Sequence, residues 1–178
     1  MSELPADEAS AYVALGSNLG DRLATLRSAS RALAAGAVPG ARLVRASPIF
    51  ETHPLGPADG PFLNAVVELR GVIDPELTLA ALLEIEARHG RIRRERWGPR
   101  TLDLDLLAVL RGGESQIWSS DRLTLPHPEL ARRDFVLEPL AALAPGVCPT
   151  GGASVEALLA GLTPAQRTIF ARSDAPLC

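Results

Sequence analysis

The sequence contains no lysine; all 18 of its cationic side chains are arginine. That absence excludes a phosphate-loop lysine, a Schiff-base lysine and a lysine general base. Any phosphate bound here is held by arginine, backbone N–H groups or metal, and arginine's planar fork can grip two oxygens at once. Cysteine is scarce, Cys148 and Cys178 being the only two, so no disulfide framework is expected and a reducing, cytoplasmic setting fits. No apolar run is long enough to span a bilayer. The opening MSELPADEAS lacks the basic start and apolar core of a secretory signal. A net charge of −3 speaks against a chain that binds nucleic acid through its overall field.

What is present suits one domain of ordinary size: 178 residues, 47 % of them hydrophobic. Residues 1–10 are expected to form a flexible tail and 11–162 a single domain, with a C-terminal tail, 163–178, whose order is left open. No repeat or low-complexity linker divides the chain.

Periodicity predicts a first strand over Ala11–Leu15 and a turn over Gly16–Gly20. A helix from Asp21 to Ala35 follows, with Leu23, Leu26 and Leu33 as its apolar stripe. Arg42–Phe50 reads as a second strand, Thr52–Pro61 as a proline-rich loop, and Phe62–Leu69 as a third strand. Asp74-Pro75 has the form of a helix start, and that helix runs to His89 with Gly90 as its stop. An arginine-rich loop, Arg91–Pro99, precedes a fourth strand, Thr101–Leu110. Gly112-Gly113 turns it into a short partner around Gln116–Trp118. Helices are expected near Phe135–Leu143 and Ser154–Leu162. The order β-α-β-β-α-β predicts an α+β, ferredoxin-like core with helices on one face, an added strand hairpin and C-terminal helices.

Chemistry concentrates in four segments. Asp103 and Asp105 are two apart on a predicted strand, so both carboxylates point the same way, ~6–7 Å apart. Taken alone, D-x-D fits an acidic solvent face as well as a Mg²⁺ pair that holds metal against phosphates. The arginine run just before it favours the second reading. Arg88, Arg91, Arg93, Arg94, Arg96 and Arg100 are relieved only by Glu95. Metal and guanidinium together offset the charge of a transferring phosphoryl group. Third, Arg122-Leu123-Thr124-Leu125-Pro126-His127-Pro128 places a histidine between prolines, either structurally satisfied or free to donate to a phosphate or to serve as an acid or base. Fourth, Phe62 and Asn64 share one strand face, as a core pair or as a ring and an amide that stack on and read a flat heterocycle. Gly16-Ser17-Asn18 has neither the dinucleotide nor the Walker pattern and reads as structural, lining a cleft floor.

These words, in this order, resemble the 6-hydroxymethyl-7,8-dihydropterin pyrophosphokinase family of folate biosynthesis. The matches are Ala14–Gly20, Glu51-Thr52 with Pro54-Leu55-Gly56, Phe62–Ala65, Gly90-Arg91, Arg96–Asp105, Leu125–Pro128 and Arg133–Leu137. The resemblance implies transfer of the β,γ-pyrophosphoryl unit of ATP to the pterin hydroxymethyl oxygen, with release of AMP. It further implies that Asp103 and Asp105 bind two Mg²⁺ ions and that Arg91 and Arg100 contact phosphate or promote transfer. Arg93 and Trp97 match a mobile loop. Arg122, Thr124, His127 and Arg133 match the ATP site together with Arg100, and Glu86 matches a position near it. The pterin would lie between Phe62 and Phe135, read by Thr52, Pro54, Leu55 and Asn64.

Three departures stand out: Phe62 replaces a tyrosine, Leu83 replaces a glutamine, and the basic loop is one residue shorter than in some relatives, which leaves the register of Arg93 and Arg94 open. A monomer without nucleic-acid or membrane partners is expected, and one core filling the chain leaves no length for a second fused enzyme. The alternative from another class is a ferredoxin-like RNA-binding module using the arginine loop.

Overall fold

The computed structural model describes residues 8–55, 60–90 and 101–177. The first strand, β1 (Ala9–Ser17), begins two residues earlier than its apolar core suggests. Helix α1 (Arg22–Ala34) follows, its first turn capped by Asp21 Oδ1, which accepts the Ala24 N–H at 3.0 Å. The expected second strand is divided into β2 (Ala41–Ala46) and β3 (Ile49–Thr52). The break falls at Ser47-Pro48, where proline has no N–H for a ladder. Ser47 fills the gap, its Oγ accepting the Val66 N–H at 2.9 Å.

Strand β4 (Phe62–Gly71) and helix α2 (Pro75–Arg88) come next. Asp74 Oδ1 accepts the Leu77 N–H at 2.9 Å, with Pro75 in the first turn, as the sequence predicts. Strand β5 (Asp103–Arg111) turns through Gly112-Gly113 into β6 (Glu114–Ser115). The expected partner at Gln116–Trp118 is corrected: β7 (Trp118–Ser119) leaves β5 and pairs with β8 (Thr124–Leu125). Trp118 Nε1 donates to Glu76 Oε1 at 3.0 Å, which holds β7 beside the start of α2. Helices α3 (Asp134–Leu143) and α4 (Val155–Ala160) follow, and β9 (Ile169–Ser173) is the last strand.

The main sheet runs β6-β5-β1-β4-β3-β9, with β2 also on β4, and its recorded pairings are antiparallel. The two helices of the core, α1 and α2, share one face, as expected, and the C-terminal helices α3 and α4 cover the other. Val13, Leu15, Leu69 and Leu104 pack with Leu26 and Leu33 of α1 and Leu82 and Ile85 of α2. Tyr12, Val66 and Ala108 pack on the other face with Val136, Leu137 and Leu140 of α3 and Val155 of α4. The reason lies in the strands. Val66 and Val67 are both fully buried, so β4 needs cover on both sides. Each fully buried leucine or valine contributes about 1.5–3 kcal/mol.

A charged brace fixes the far end of α3. Glu68 is fully buried on β4 and accepts hydrogen bonds from Arg70 Nε at 2.7 Å, Arg45 Nε at 2.7 Å and Ser10 Oγ at 2.9 Å. Arg45 also donates to Leu143 O at 2.9 Å, at the last turn of α3. Burial works to raise the Glu68 pKa, but the hydrogen bonds from Arg70, Arg45 and Ser10 outweigh it and hold the carboxyl below its usual range. Among the described residues, no helix is long and apolar enough to cross a membrane.

Candidate active site

The site grows from one row across the sheet. Gly16 on β1 is the register partner of Asn64 on β4 and of Asp103 on β5. All three face the same side. A Cβ placed on Gly16 would lie 3.3 Å from Asn64 Oδ1 and 3.9 Å from Asp103 Cβ. Glycine therefore leaves an open floor between an amide and a carboxylate. One step along, Ala14 is likewise flanked by Val66 and Asp105. The two small residues, Gly16 and Ala14, thus stand beside the two carboxylates.

On the β5 side, Asp103 and Asp105 are half-buried on one face, with Leu104 buried behind them. Period-2 alternation produces this, since Leu102, Leu104 and Leu106 belong to the core behind the sheet. Hard carboxylate oxygens in a pair suit Mg²⁺ shared with substrate phosphates and water. Among the described residues no cluster of three or more His, Cys, Asp or Glu is placed to hold a metal as an all-protein cage. The carboxylate pair fits the partial ligand set that Mg²⁺ takes beside phosphates.

On the β4 side, Asn64 is buried and its Nδ2 donates to Thr52 Oγ1 at 2.9 Å. Thr52 and Phe62 are register partners, so three expected acceptor residues meet at one end of the β3–β4 pair. Phe62 and Pro54 are half-buried, and Leu55 is exposed. Phe135, the second residue of α3, is also half-buried. A cleft of about 300 Å³ lies beside it, walled by Leu55, Phe135 and Arg133 and by Ala165 and Gln166 from the C-terminal segment.

A third group joins the two sides. Arg133 sits with its guanidinium carbon 5.7 Å from the centroid of the Phe135 ring. His127 is half-buried, and its Nδ1 accepts the Glu129 N–H at 3.2 Å, which leaves Nε2 to carry the proton. Burial pushes the His127 pKa down, Arg133 pushes it further, and Glu129 and Asp103 pull it up. Its neighbours therefore include one expected ATP residue, Arg133, and one expected metal ligand, Asp103. Arg122 and Thr124 are exposed at β8, which leads into His127.

Glu86 has a different setting. It is buried in α2, and its Oε1 accepts the Leu104 N–H at 2.7 Å. It thus holds β5 between the two aspartates from the helix side of the sheet. Arg91, Arg93, Trp97 and Arg100 lie outside the described residues. Ala165 and Gln166 were not expected in the cleft. They are far along the chain from Phe135, and nothing in their local sequence marks them.

A family model described as 7,8-dihydro-6-hydroxymethylpterin-pyrophosphokinase matches residues 12–145. A relative from Methylorubrum extorquens, named 2-amino-4-hydroxy-6-hydroxymethyldihydropteridine pyrophosphokinase, is 44 % identical over 155 residues, covering 86 % of this chain and 94 % of the relative. One of the same name from Pseudomonas aeruginosa is 45 % identical over 150 residues, covering 84 % and 89 %. The fold is similar to that in a crystal structure of Plasmodium falciparum HPPK-DHPS with pteroate, with a TM-score of 0.60 at 13 % identity. That likeness covers 89 % of this chain and 43 % of the Plasmodium chain, so this chain spans less than half its length.

Proposed function

Because the chain belongs to the 7,8-dihydro-6-hydroxymethylpterin pyrophosphokinase family, we propose that the row Asn64–Gly16–Asp103 is where its two substrates meet. The enzyme carries out ATP-dependent pyrophosphoryl transfer in folate biosynthesis. The substrates are ATP and 6-hydroxymethyl-7,8-dihydropterin, and AMP is released. The strand order of the core supports reading it as ferredoxin-like, elaborated by β6 to β9 and by α3 and α4.

The observation that carries the site assignment is that acceptor-type and metal-type residues flank one side-chain-free position on one sheet face. On the acceptor side, Phe62 and Phe135 stack on the pterin, and Asn64, Thr52, Pro54 and Leu55 line its edges. On the donor side, Asp103 and Asp105 would hold Mg²⁺, two ions being expected. His127, Arg133, Arg122 and Thr124 take ATP, and Glu86 supports that side from behind. Arg91, Arg93, Trp97 and Arg100 belong to the donor side by their match to the family's words.

The pterin alcohol oxygen bonds to Pβ as the Pβ–O bond to the α-phosphate breaks, and AMP carries away the bridging oxygen. The alcohol proton goes to solvent, since the described motif residues include no strong base facing the floor. Mg²⁺, when bound, neutralises phosphate charge and lowers the alcohol's pKa. Arginines keep a fixed positive charge against the phosphates at every working pH. His127, neutral with its proton on Nε2, donates without adding charge. The monomeric state and cytoplasmic setting expected from the sequence belong to this same reading. The RNA-module alternative finds no support in the family match.

The test is AMP release from ATP on addition of 6-hydroxymethyl-7,8-dihydropterin. We expect AMP formation that needs both the pterin and Mg²⁺. Release that ignored the pterin would remove the assignment.

A further inference from the structure

Asp134, the first residue of α3, is only 2 % exposed and aims into the protein, not into the cleft. Its Oδ1 accepts the Thr168 hydroxyl at 2.6 Å, and its Oδ2 accepts the backbone N–H groups of Thr168 and of Ile169, the latter at 2.9 Å. All three donors belong to the segment that enters β9. That segment also holds the other side of the cleft. Thr168 O accepts the His53 N–H at 3.0 Å, and Ile169 is the register partner of Thr52. The His53 and Phe170 rings lie 4.4 Å apart.

The chain of contacts is therefore Phe135, its neighbour Asp134, the Thr168–Ile169 segment, and then Thr52 with Asn64. We propose that Asp134 is a positioning residue for the acceptor. It clamps the C-terminal segment between Phe135 and Thr52 and so sets the gap into which the flat substrate fits. The same clamp places Ala165 and Gln166 on the cleft wall beside Leu55. Gln166 adds a bond from its Nε2 to Arg132 O at 3.4 Å.

The carboxylate suits this task. Charge-assisted hydrogen bonds are roughly twice as strong as neutral ones, and three converge here on one buried group. Without them the segment keeps its β3 pairing but loses its tie to α3, so the two walls move independently. The inference rests on the reading that Phe135, Thr52 and Asn64 hold the pterin.

The experiment is steady-state kinetics of Asp134→Ala and Asp134→Asn, with both substrates varied. Asp134→Ala should raise the KM for the pterin about tenfold or more, because small misplacements of a binding wall are costly. Its KM for ATP should rise clearly less than its KM for the pterin, since the donor residues on β5 and β8 are not tied through this clamp and, of the described ATP-side residues, Arg133 alone adjoins it. Asp134→Asn should recover most of the pterin KM. Its amide oxygen can keep both backbone bonds, while the Thr168 hydroxyl turns to accept from the amide nitrogen.

An unchanged pterin KM, or equal rises in both KM values, would overturn the assignment. Should Asp134→Ala fail to fold, Thr168→Val carries the same test, because it removes only the hydroxyl bond. A rise in its pterin KM at constant ATP KM supports the clamp, and no rise or a parallel rise overturns it. Wild type that releases no AMP in response to the pterin would instead remove the site reading on which the inference stands.

Discussion

Glu86 and Leu104 are joined by a 2.7 Å hydrogen bond from a backbone N–H to a buried carboxylate oxygen. The helix that supplies the carboxylate packs behind the sheet, and the two residues beside Leu104 are Asp103 and Asp105 on its front. Core packing and the carboxylate pair are thus coupled through one peptide unit.

Replacing Glu86 by alanine leaves that N–H buried without this acceptor, a loss of about 1–3 kcal/mol. For a chain of this size the melting temperature should fall by roughly 2–12 °C. The Mg²⁺ concentration for half-maximal rate should also rise, because β5 loses its restraint beside the aspartates. Thermal melts and a Mg²⁺ titration of AMP release check both. A lowered melting temperature with an unmoved Mg²⁺ titration would confine Glu86 to stability.

Gly16→Ala tests the floor. The new methyl would meet Asn64 Oδ1 at 3.3 Å, closer than comfortable contact. Its backbone is not in the left-handed region, so no conformational penalty adds to the crowding. We expect a folded enzyme with weaker pterin binding and a lower kcat, read by calorimetry and turnover. Wild-type kinetics would show that neither substrate passes over Gly16.

Asp105→Ala removes one of the two carboxylates without crowding its register neighbour, Ala14. Loss of a preorganised charge partner should reduce turnover by about a hundredfold or more. Saturating Mg²⁺ should not restore it. Near-normal turnover under that condition would take the metal pair away from these residues.

His127 predicts a pH signature. Its folded pKa is depressed by burial and then by Arg133, below the 6.5 of a free imidazole. The unfolded chain therefore binds more protons than the folded one as pH falls through 6.5. The stabilising contribution of neutral His127 is complete above that value and is lost as pH falls toward the folded pKa. The melting temperature should drop between pH 7 and pH 5, and His127→Gln should flatten that part of the curve. An identical curve in the variant would mean that other groups carry the change.

How much of this could be read from the chain depends on how local the cause is. The Asp74-Pro75 start of α2 is written in adjacent residues, and it appears where expected. The Asp103–Asp105 face follows from alternation alone. The split at Ser47-Pro48 carried a local sign too, the proline, but the Ser47 bond to Val66 that makes the break tolerable is a tertiary event. Strand β9 carried almost no sign. Ile169–Ser173 is short and mostly exposed, and it becomes a strand because β3 offers a free edge. The cleft residues Ala165 and Gln166 were hidden for the same reason. Asp134 was equally silent, as its partners sit on the far side of the chain.

The small residue at the centre of the row has a consequence for how the enzyme can change. Neighbouring strands stand ~4.8 Å apart, so two strand spacings, about 10 Å, separate the backbone of Asn64 from that of Asp103. Peptide hydrogen bonds maintain that interval, and side-chain substitution does not lengthen or shorten it. Substitutions along the row can alter the groups that face its floor. Such variants inherit the same fixed interval between the Asn64 and Asp103 backbones, and a compound that spans both at that length addresses a dimension the enzyme cannot readily retune.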